Sequence, residues 1–240
     1  MKNLIVFISP RKQLYGEYAV LIKVQIDNAL DLGWKPEDIL FVTNFNYEYN
    51  GVKSIIVGDK NFCAVRPRSI KTSIIPHLVD EGIMEDGKVY WNHDFDAFQI
   101  NPMSVSELGL EGLDAGFTDY GWRTRWCLGS AFIKTSARDI FTWLRDGIFV
   151  NLEDETILGK ITDRNTHKIN SRIKKMNITY QIGMRHVEHN YELATKPLKV
   201  LHFHPHKPGL LDIFMHGKNG INTPFMTDRM IKVFHHHGLK

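Results

Sequence analysis

The chain is predicted to be an α/β protein of one domain, with a mixed, mostly parallel sheet flanked by helices. Three observations predict this. The first fifty residues read strand, helix, strand, which is a βαβ unit. A second apolar run, Val89-Tyr90-Trp91, enters a pair of carboxylates, as core strands of such sheets do at their carboxyl ends. Strand and helix periods keep alternating to the C-terminus, without a linker, a repeat or a low-complexity tract.

Composition narrows the classes of function. With 43% hydrophobic and 24% charged residues, the chain has the makings of a full core. A net charge of +3 is too slight to announce nucleic acid by itself. No apolar run approaches the length needed to span a bilayer, and MKNLIVFISP reads as a first strand rather than a signal peptide. Cys63 and Cys127 stand far apart and give no disulfide framework, which places the protein in the cytoplasm.

The elements follow in order. Residues 3–9 suit a strand buried on both faces. Tyr18, Ile22, Ile26 and Ala29 recur at helical spacing over 17–31, and Gly33 is a fitting stop. Residues 39–43 and 52–57 give two more strands. A helix over 66–81 carries Ile70, Ile74, Ile75, Leu78 and Val79 on one side, with Pro76 expected to kink or break it. Arg66, Arg68 and Lys71 crowd its start, against the helix dipole, so either an anion or plain solvation accounts for them. Residues 104–125 are expected to form a long irregular loop, and 126–134 a strand whose Gly129-Ser130 permits close approach of a backbone or ligand. Ser136 and Asp139 have capping-box spacing before a helix bearing Ile140, Phe141, Leu144 and Ile148. Residues 151–161 read as a further helix, 198–203 as a last core strand, and 227–236 as a closing helix ending in His235, His236 and His237.

Function centres on Asp94 and Asp96. With 16 Asp in the chain, roughly one Asp-x-Asp is expected by chance, so the spacing alone decides nothing. Its place beyond a strand end does more, although Asn92 and His93 stand between the apolar run and Asp94. Two such carboxylates turned to one point would hold Mg²⁺ or Mn²⁺ and, through it, a diphosphate. Neither GxGxxG after the first strand nor GxxxxGK[ST] occurs, which excludes the two common glycine-rich phosphate loops. Beyond the last strand, His202, His204 and His206 alternate; three imidazoles on one face would bind Zn²⁺, but Pro205 ends the extended geometry first. Asp154 and Glu155 open a helix, where the dipole alone favours acids. From Arg164 to Arg185 the chain carries six cations and no acid: either a solvated face or a landing surface for an anionic acceptor.

The order of four pieces resembles the GT-A (Rossmann-like) fold of nucleotide-sugar glycosyltransferases, and most of all the glycogenin-like, retaining family 8 group. They are the βαβ start, the Asp-x-Asp after a core strand, the Gly-Ser strand followed by a helix and an acidic turn, and the late His202…Lys207-Pro208. The resemblance implies Asp94, Asp96 and His202 as ligands of Mn²⁺ (or Mg²⁺) and Lys207 as a phosphate contact. It places Ser130 near the sugar, and Asp154 near the acceptor and the reacting carbon, with Glu155 beside it as a catalytic candidate. Arg68 or Lys71 matches a basic residue before the metal strand, and Ser9, ending the first strand, joins the donor-binding set. The implied activity is sugar transfer from a nucleotide sugar, a UDP-sugar in the first instance, to a glycan, lipid-linked or nucleic-acid acceptor. Residues 1–103 would form the nucleotide-binding half and 104–240 the sugar and acceptor half. Two other readings use the same residues differently. A nucleotidyltransferase would hold a triphosphate with the carboxylates and release pyrophosphate. A non-catalytic nucleic-acid-binding protein would use 164–185 and ignore Asp94 and Asp96.

Overall fold

Alternate residues of the first strand, β1 (Lys2–Phe7), enter two different cores. Ile5 and Phe7 join one apolar cluster, Leu4 and Val6 another. A strand buried this way must lie inside a sheet covered on both faces. The computed structural model describes residues 1–119, 126–184, 187–207, 209–217 and 225–240.

Helix α1 (Tyr18–Asp31) follows, then β2 (Ile39–Thr43), the short β3 (Glu48–Tyr49) and β4 (Val52–Ile56). The predicted helix over 66–81 is broken where proline requires it: α2 (Ile70–Ser73) stops at Ile74, and Pro76 sits in the first turn of α3 (Ile75–Asp80), where its missing N–H costs nothing. β5 (Tyr90–His93) runs through Asn92 and His93, so the strand passes directly into Asp94. The short apolar run understated its length because Asn92 and His93 are both fully buried polar residues.

β6 (Ala97–Gln99) and α4 (Val105–Leu108) lead to β7 (Ala115–Asp119), which corrects the expectation of an irregular loop from 104 onward. That strand has one large apolar residue, Phe117, and is specified by its neighbours. It pairs with β8 (Trp126–Ile133) and β9 (Ile173–Met176), and a Cβ on Gly116 would fall 2.6 Å from Met176 Sδ. The remainder of the expected loop, 120–125, lies outside the described residues.

Helices α5 (Arg138–Phe149) and α6 (Asp154–Asp163) then cover one face, burying Ile140, Phe141, Leu144, Ile148, Ile157 and Leu158. Ser136 does not cap α5, another departure from expectation. Asp139 instead takes Arg172 in a two-pronged pair at 2.6 and 2.7 Å. Among the described residues the main sheet has the order β3-β4-β2-β1-β5-β8-β7-β9, with β1, β2, β4 and β5 parallel and β8 antiparallel to β5 and β7. The last predicted strand is shorter than its apolar run. As β11 (Val200–His202) it leaves the main sheet and pairs with β6 and β10 (Ile182–Gly183) in a second, three-stranded sheet. Two short helices, α7 (Val187–Leu193) and α8 (Leu210–His216), precede α9 (Asp228–His236). The last is the predicted closing helix, capped by the Thr227 hydroxyl, which accepts from the Met230 N–H.

His93 gives the fold a pH dependence. It is 1% exposed and stacks on Trp91, and burial pushes its pKa down to about 4 despite contact with the Asp94 carbonyl. Because the folded value lies below the ordinary 6.5, the unfolded chain takes up the proton first. Stability is therefore complete above pH 6.5 and declines as pH falls toward 4, by about 3 kcal/mol at most. Urea unfolding between pH 7 and 4.5 is expected to show this decline. The His93→Asn chain is expected to show a flatter profile, and an identical slope in both would remove His93 as the cause.

Candidate active site

The parallel strands β4, β2, β1 and β5 all end at one edge of the sheet. Connections leave β1 toward β2 on one side and reach β5 on the other, so a crevice opens where strand order reverses. Ser9 follows β1 there, and Asp94 follows β5. The Asp94-Phe95-Asp96 turn is held from three directions. Phe95 is buried against Phe7, Tyr18 and Phe41. Gln25 of α1 donates at 2.8 Å to the carbonyls of both Phe95 and Ala97. Phe203 N donates to the Asp96 carbonyl at 2.9 Å. β6 then pairs antiparallel with β11, setting Ala97 opposite His202.

That pairing brings three predicted residues together. Ligand atoms of Asp94, Asp96 and His202 lie within 4.8 Å of one another. His202 Nε2 is 3.1 Å from Asp96 Oδ1 and 3.6 Å from Asp94 Oδ2. Burial works against charge on Asp96, but His202 and His204 outweigh it and hold the carboxyl well below the usual range. Burial likewise opposes charge on His202, and Asp96 overcomes it, so its pKa is raised well above the ordinary value. His204, which the sequence offered only as one of three zinc imidazoles, places Nδ1 2.7 Å from the second oxygen of Asp96. His206 is exposed on the turn beyond.

β8 is irregular here. Phe117 pairs with Ala131 but Thr118 with Cys127, so Leu128, Gly129 and Ser130 bulge out of the β7 ladder. The bulge turns Gly129 toward the cluster: a Cβ there would lie 2.3 Å from His202 Cε1 and 3.1 Å from Asp94 Oδ2. It also frees the Leu128 N–H, which donates to Glu155 Oε1 at 3.1 Å. Burial, then the Asp154 charge, push the Glu155 carboxyl up. Lys71 reaches the same region, 2.5 Å from Asp94 Oδ1. Burial works against its charge, but Asp94 and Asp154 prevail and raise its pKa. Asp154 accepts from the Thr72 hydroxyl at 2.8 Å.

Other predicted residues stand apart. Ser130 takes the face of β8 opposite to Gly129, and its hydroxyl accepts from the Trp91 indole at 2.8 Å. Arg68 is exposed in the turn before α2, and Lys207 is exposed on the turn between β11 and α8. Ser9 is buried, with its hydroxyl accepting from Arg11 N at 3.1 Å. In the basic segment, Arg172 bridges Asp139 and Asp114, Lys174 donates to the Leu108 carbonyl, and Lys175 pairs with Asp119. Arg185 lies outside the described residues.

Gln181 is a residue that sequence reasoning missed. Its amide nitrogen faces His202 Nδ1 and lies 3.2 Å from Cys127 Sγ, while its oxygen is buried with no partner among the described residues. Amide nitrogen and oxygen have the same shape, and the hydrogen-bond network decides between them. Turned over, the oxygen accepts from His202 Nδ1–H and from the Cys127 thiol, so the orphan disappears. Once the ring gives up its Nε2 proton, as binding a metal ion would require, the Nε2 lone pair faces Asp94 and Asp96. Two carboxylates and such an imidazole are a donor set that suits Mn²⁺ better than Mg²⁺. Nothing in the sequence marked Gln181, because it precedes a strand of two residues.

The sheet order, the second small sheet and the carboxylate pair at the switch point define the GT-A fold of nucleotide-sugar glycosyltransferases. Solved structures agree. The galactosyltransferase LgtC, in complex with donor and acceptor sugar analogues, superposes with a TM-score of 0.55 at 14% identity, over 96% of this chain and 94% of that one. The glycosyltransferase GlyE of Streptococcus pneumoniae TIGR4 gives 0.57 at 12% identity, over 100% of this chain and 64% of that one. A glycosyltransferase involved in glycosylation of the major capsid of PBCV-1 gives 0.51 at 10% identity, over 84% and 93%. At such identities the likeness establishes the fold. No family model matches the chain, and no curated protein matches its sequence. No helix among the described residues is long and apolar enough to cross a membrane.

Proposed function

We propose that this chain is a metal-dependent glycosyltransferase that moves a sugar from a nucleoside diphosphate sugar, a UDP-sugar in the first instance, to an acceptor with retention at the anomeric carbon. The observation that carries the reading is the Asp94, Asp96 and His202 group at the switch-point edge of a GT-A fold. Asp94, Asp96 and His202 would hold a divalent ion, Mn²⁺ before Mg²⁺, whose positive charge would offset the charge that develops on the departing nucleotide. Lys71 adds a fixed positive charge beside Asp94. Glu155 and Asp154 present carboxyls at the start of α6 for the sugar side of the reaction, with Glu155 oriented by the Leu128 N–H. Ser9, Arg68 and Lys207 are assigned to the donor nucleotide and its phosphates. Ser130 acts at one remove, by fixing Trp91 beneath the β5–β8 pair.

In this reading residues 1–103 bind the nucleotide and 104–240 supply the sugar and acceptor side. His202 closes the metal group from the second half. A phosphorylated or lipid-linked glycan, or a nucleic acid, would meet the chain along 164–185, where Arg164 and Lys168 are exposed. Two buried, unpaired cysteines suit the reducing cytoplasm.

The test is thermal unfolding with UDP, GDP, CDP or ADP, each with and without Mn²⁺. A midpoint rise that needs both Mn²⁺ and one nucleotide is the expected result, and it names the donor base. No rise with any pair would overturn the assignment, and pyrophosphate release from a triphosphate would favour nucleotidyl transfer. The Gln181→Leu chain is expected to bind Mn²⁺ about 10–100-fold more weakly, as loss of a ligand's supporting acceptor does elsewhere, while Gln181→Glu keeps the acceptor and most of the affinity. Equal Mn²⁺ titrations for Leu and wild type would show that His202 is oriented without Gln181.

A further inference from the structure

A second group of metal-type donors lies at the C-terminal end of α9. That helix buries Met230, Val233 and Phe234, which fixes where its last turn comes to rest. His236 is its final residue and His237 follows. His237 Nε2 lies 2.8 Å from Asp27 Oδ2 on α1. Donor atoms of Asp27, His236 and His237 all fall within 4.8 Å of one another. None of these side chains belongs to the Asp94 group.

The carboxylate is held in place by groups that are not donors to this cluster. The Tyr49 hydroxyl donates to Asp27 Oδ2 at 2.9 Å, and Asn50 Nδ2 donates to Oδ1 at 2.6 Å. A carboxylate oriented by a phenol and an amide, facing two adjacent imidazoles, has the layout of a metal ligand with its supporting shell. Asn50 can give this bond because it adopts a left-handed conformation, φ 47°, at the tip of the β3–β4 hairpin.

The donor chemistry selects the ion. Two imidazoles and one carboxylate match the protein ligands of open, four-coordinate zinc sites, with a water completing the shell. Nitrogen donors disfavour Mg²⁺ and Ca²⁺, which take oxygen. We propose that Asp27, His236 and His237 bind a borderline divalent transition-metal ion of the zinc type, which ties the C-terminal helix to α1. The alternative is that the His237–Asp27 contact is a hydrogen-bonded clamp and nothing more.

The test uses the full chain with Zn²⁺ as the probe; because the Asp94, Asp96 and His202 group also offers nitrogen and oxygen donors, the paired His236 and His235 variants assign the binding. Calorimetry measures Zn²⁺ binding, and Co²⁺ substitution gives a visible spectrum that reports coordination directly. His236 is exposed, so His236→Ala should leave the metal-free unfolding midpoint unchanged. It is expected to weaken Zn²⁺ binding at least about tenfold, the low end of what even a supporting residue's loss costs. His235, on the same turn but outside the group, provides the control: His235→Ala should bind Zn²⁺ as wild type does. The Mn²⁺-with-nucleotide response of both variants should equal that of the wild type. Equal Zn²⁺ affinity in His236→Ala and His235→Ala would overturn the proposal. So would an absence of Zn²⁺ binding by the wild-type chain, which would leave the hydrogen-bonded clamp as the whole role of the cluster.

Discussion

The Asp94→Asn chain is expected to show no Mn²⁺-dependent nucleotide response at concentrations that raise wild-type stability by about 3 kcal/mol, the gain from a ligand at a hundred times its Kd. The substitution keeps the shape of the side chain and its place in the turn, but the amide is a poor ligand for a hard cation. It has a second consequence, because Asp94 is also the partner of buried Lys71. Removing one member of a wholly buried ion pair costs about 3–5 kcal/mol. Here the loss should be on the order of 2 kcal/mol, since the Asp94 side chain is 32% exposed and Asp154 also acts on Lys71. The double variant Lys71→Met with Asp94→Asn separates the two roles. It should recover part of the stability and none of the metal response. A single variant that keeps the full Mn²⁺-and-nucleotide shift would remove Asp94 from the site.

Gly129→Ala is the second change with a large expected effect, and it needs no loss of any polar group. The added methyl would meet His202 Cε1 at 2.3 Å and Nδ1 at 2.5 Å, closer than real Cβ contacts come. The obstructing atoms belong to a side chain, so the ring can swing aside while the backbone stays. The position has no left-handed φ to punish alanine. Stability should therefore fall by about 1–3 kcal/mol, the usual cost of overpacking. If His202 is the third ligand, as proposed, metal-dependent nucleotide binding should fall more than tenfold because its ring has left its place. A Gly129→Ala chain with wild-type Mn²⁺ affinity would show that His202 is not a ligand.

These two positions also show what the sequence made legible. Asp94 and Asp96 were readable because two carboxylates beyond a core strand are a local signal, and the strand that carries them passes straight into Asp94. Gly129 was readable as a place of close approach, although not of approach to what. His202 was joined to the carboxylates only through resemblance, since its alternation with His204 and His206 pointed to zinc and a lone imidazole at a strand end has a bland explanation. Gln181 and the β8 bulge were invisible. Both depend on pairings between distant segments, which no local period encodes. β7 was lost for a related reason: a strand of Ala-Gly-Phe-Thr-Asp has too little apolar content to declare itself, and its place comes from β8 and β9. The helices of the covered face were legible because their burial repeats at helical spacing. The short helices before α9 carry too few turns for a period to emerge.

His202 and Asp96 are separated by 106 positions in the chain. Their meeting closes a long loop, and long-range contacts of this kind are made after local ones during folding. The carboxylates can be in place as soon as β5 has docked, yet the proposed third ligand, His202, arrives only when β11 has paired with β6. Coordination at this point therefore reports on the last seam of the molecule. Amide hydrogen exchange along β11 should slow when Mn²⁺ and nucleotide are added, while exchange in β1 and β2 stays governed by global unfolding. The ion, in that sense, would act as a fastener between the early and late parts of one polypeptide.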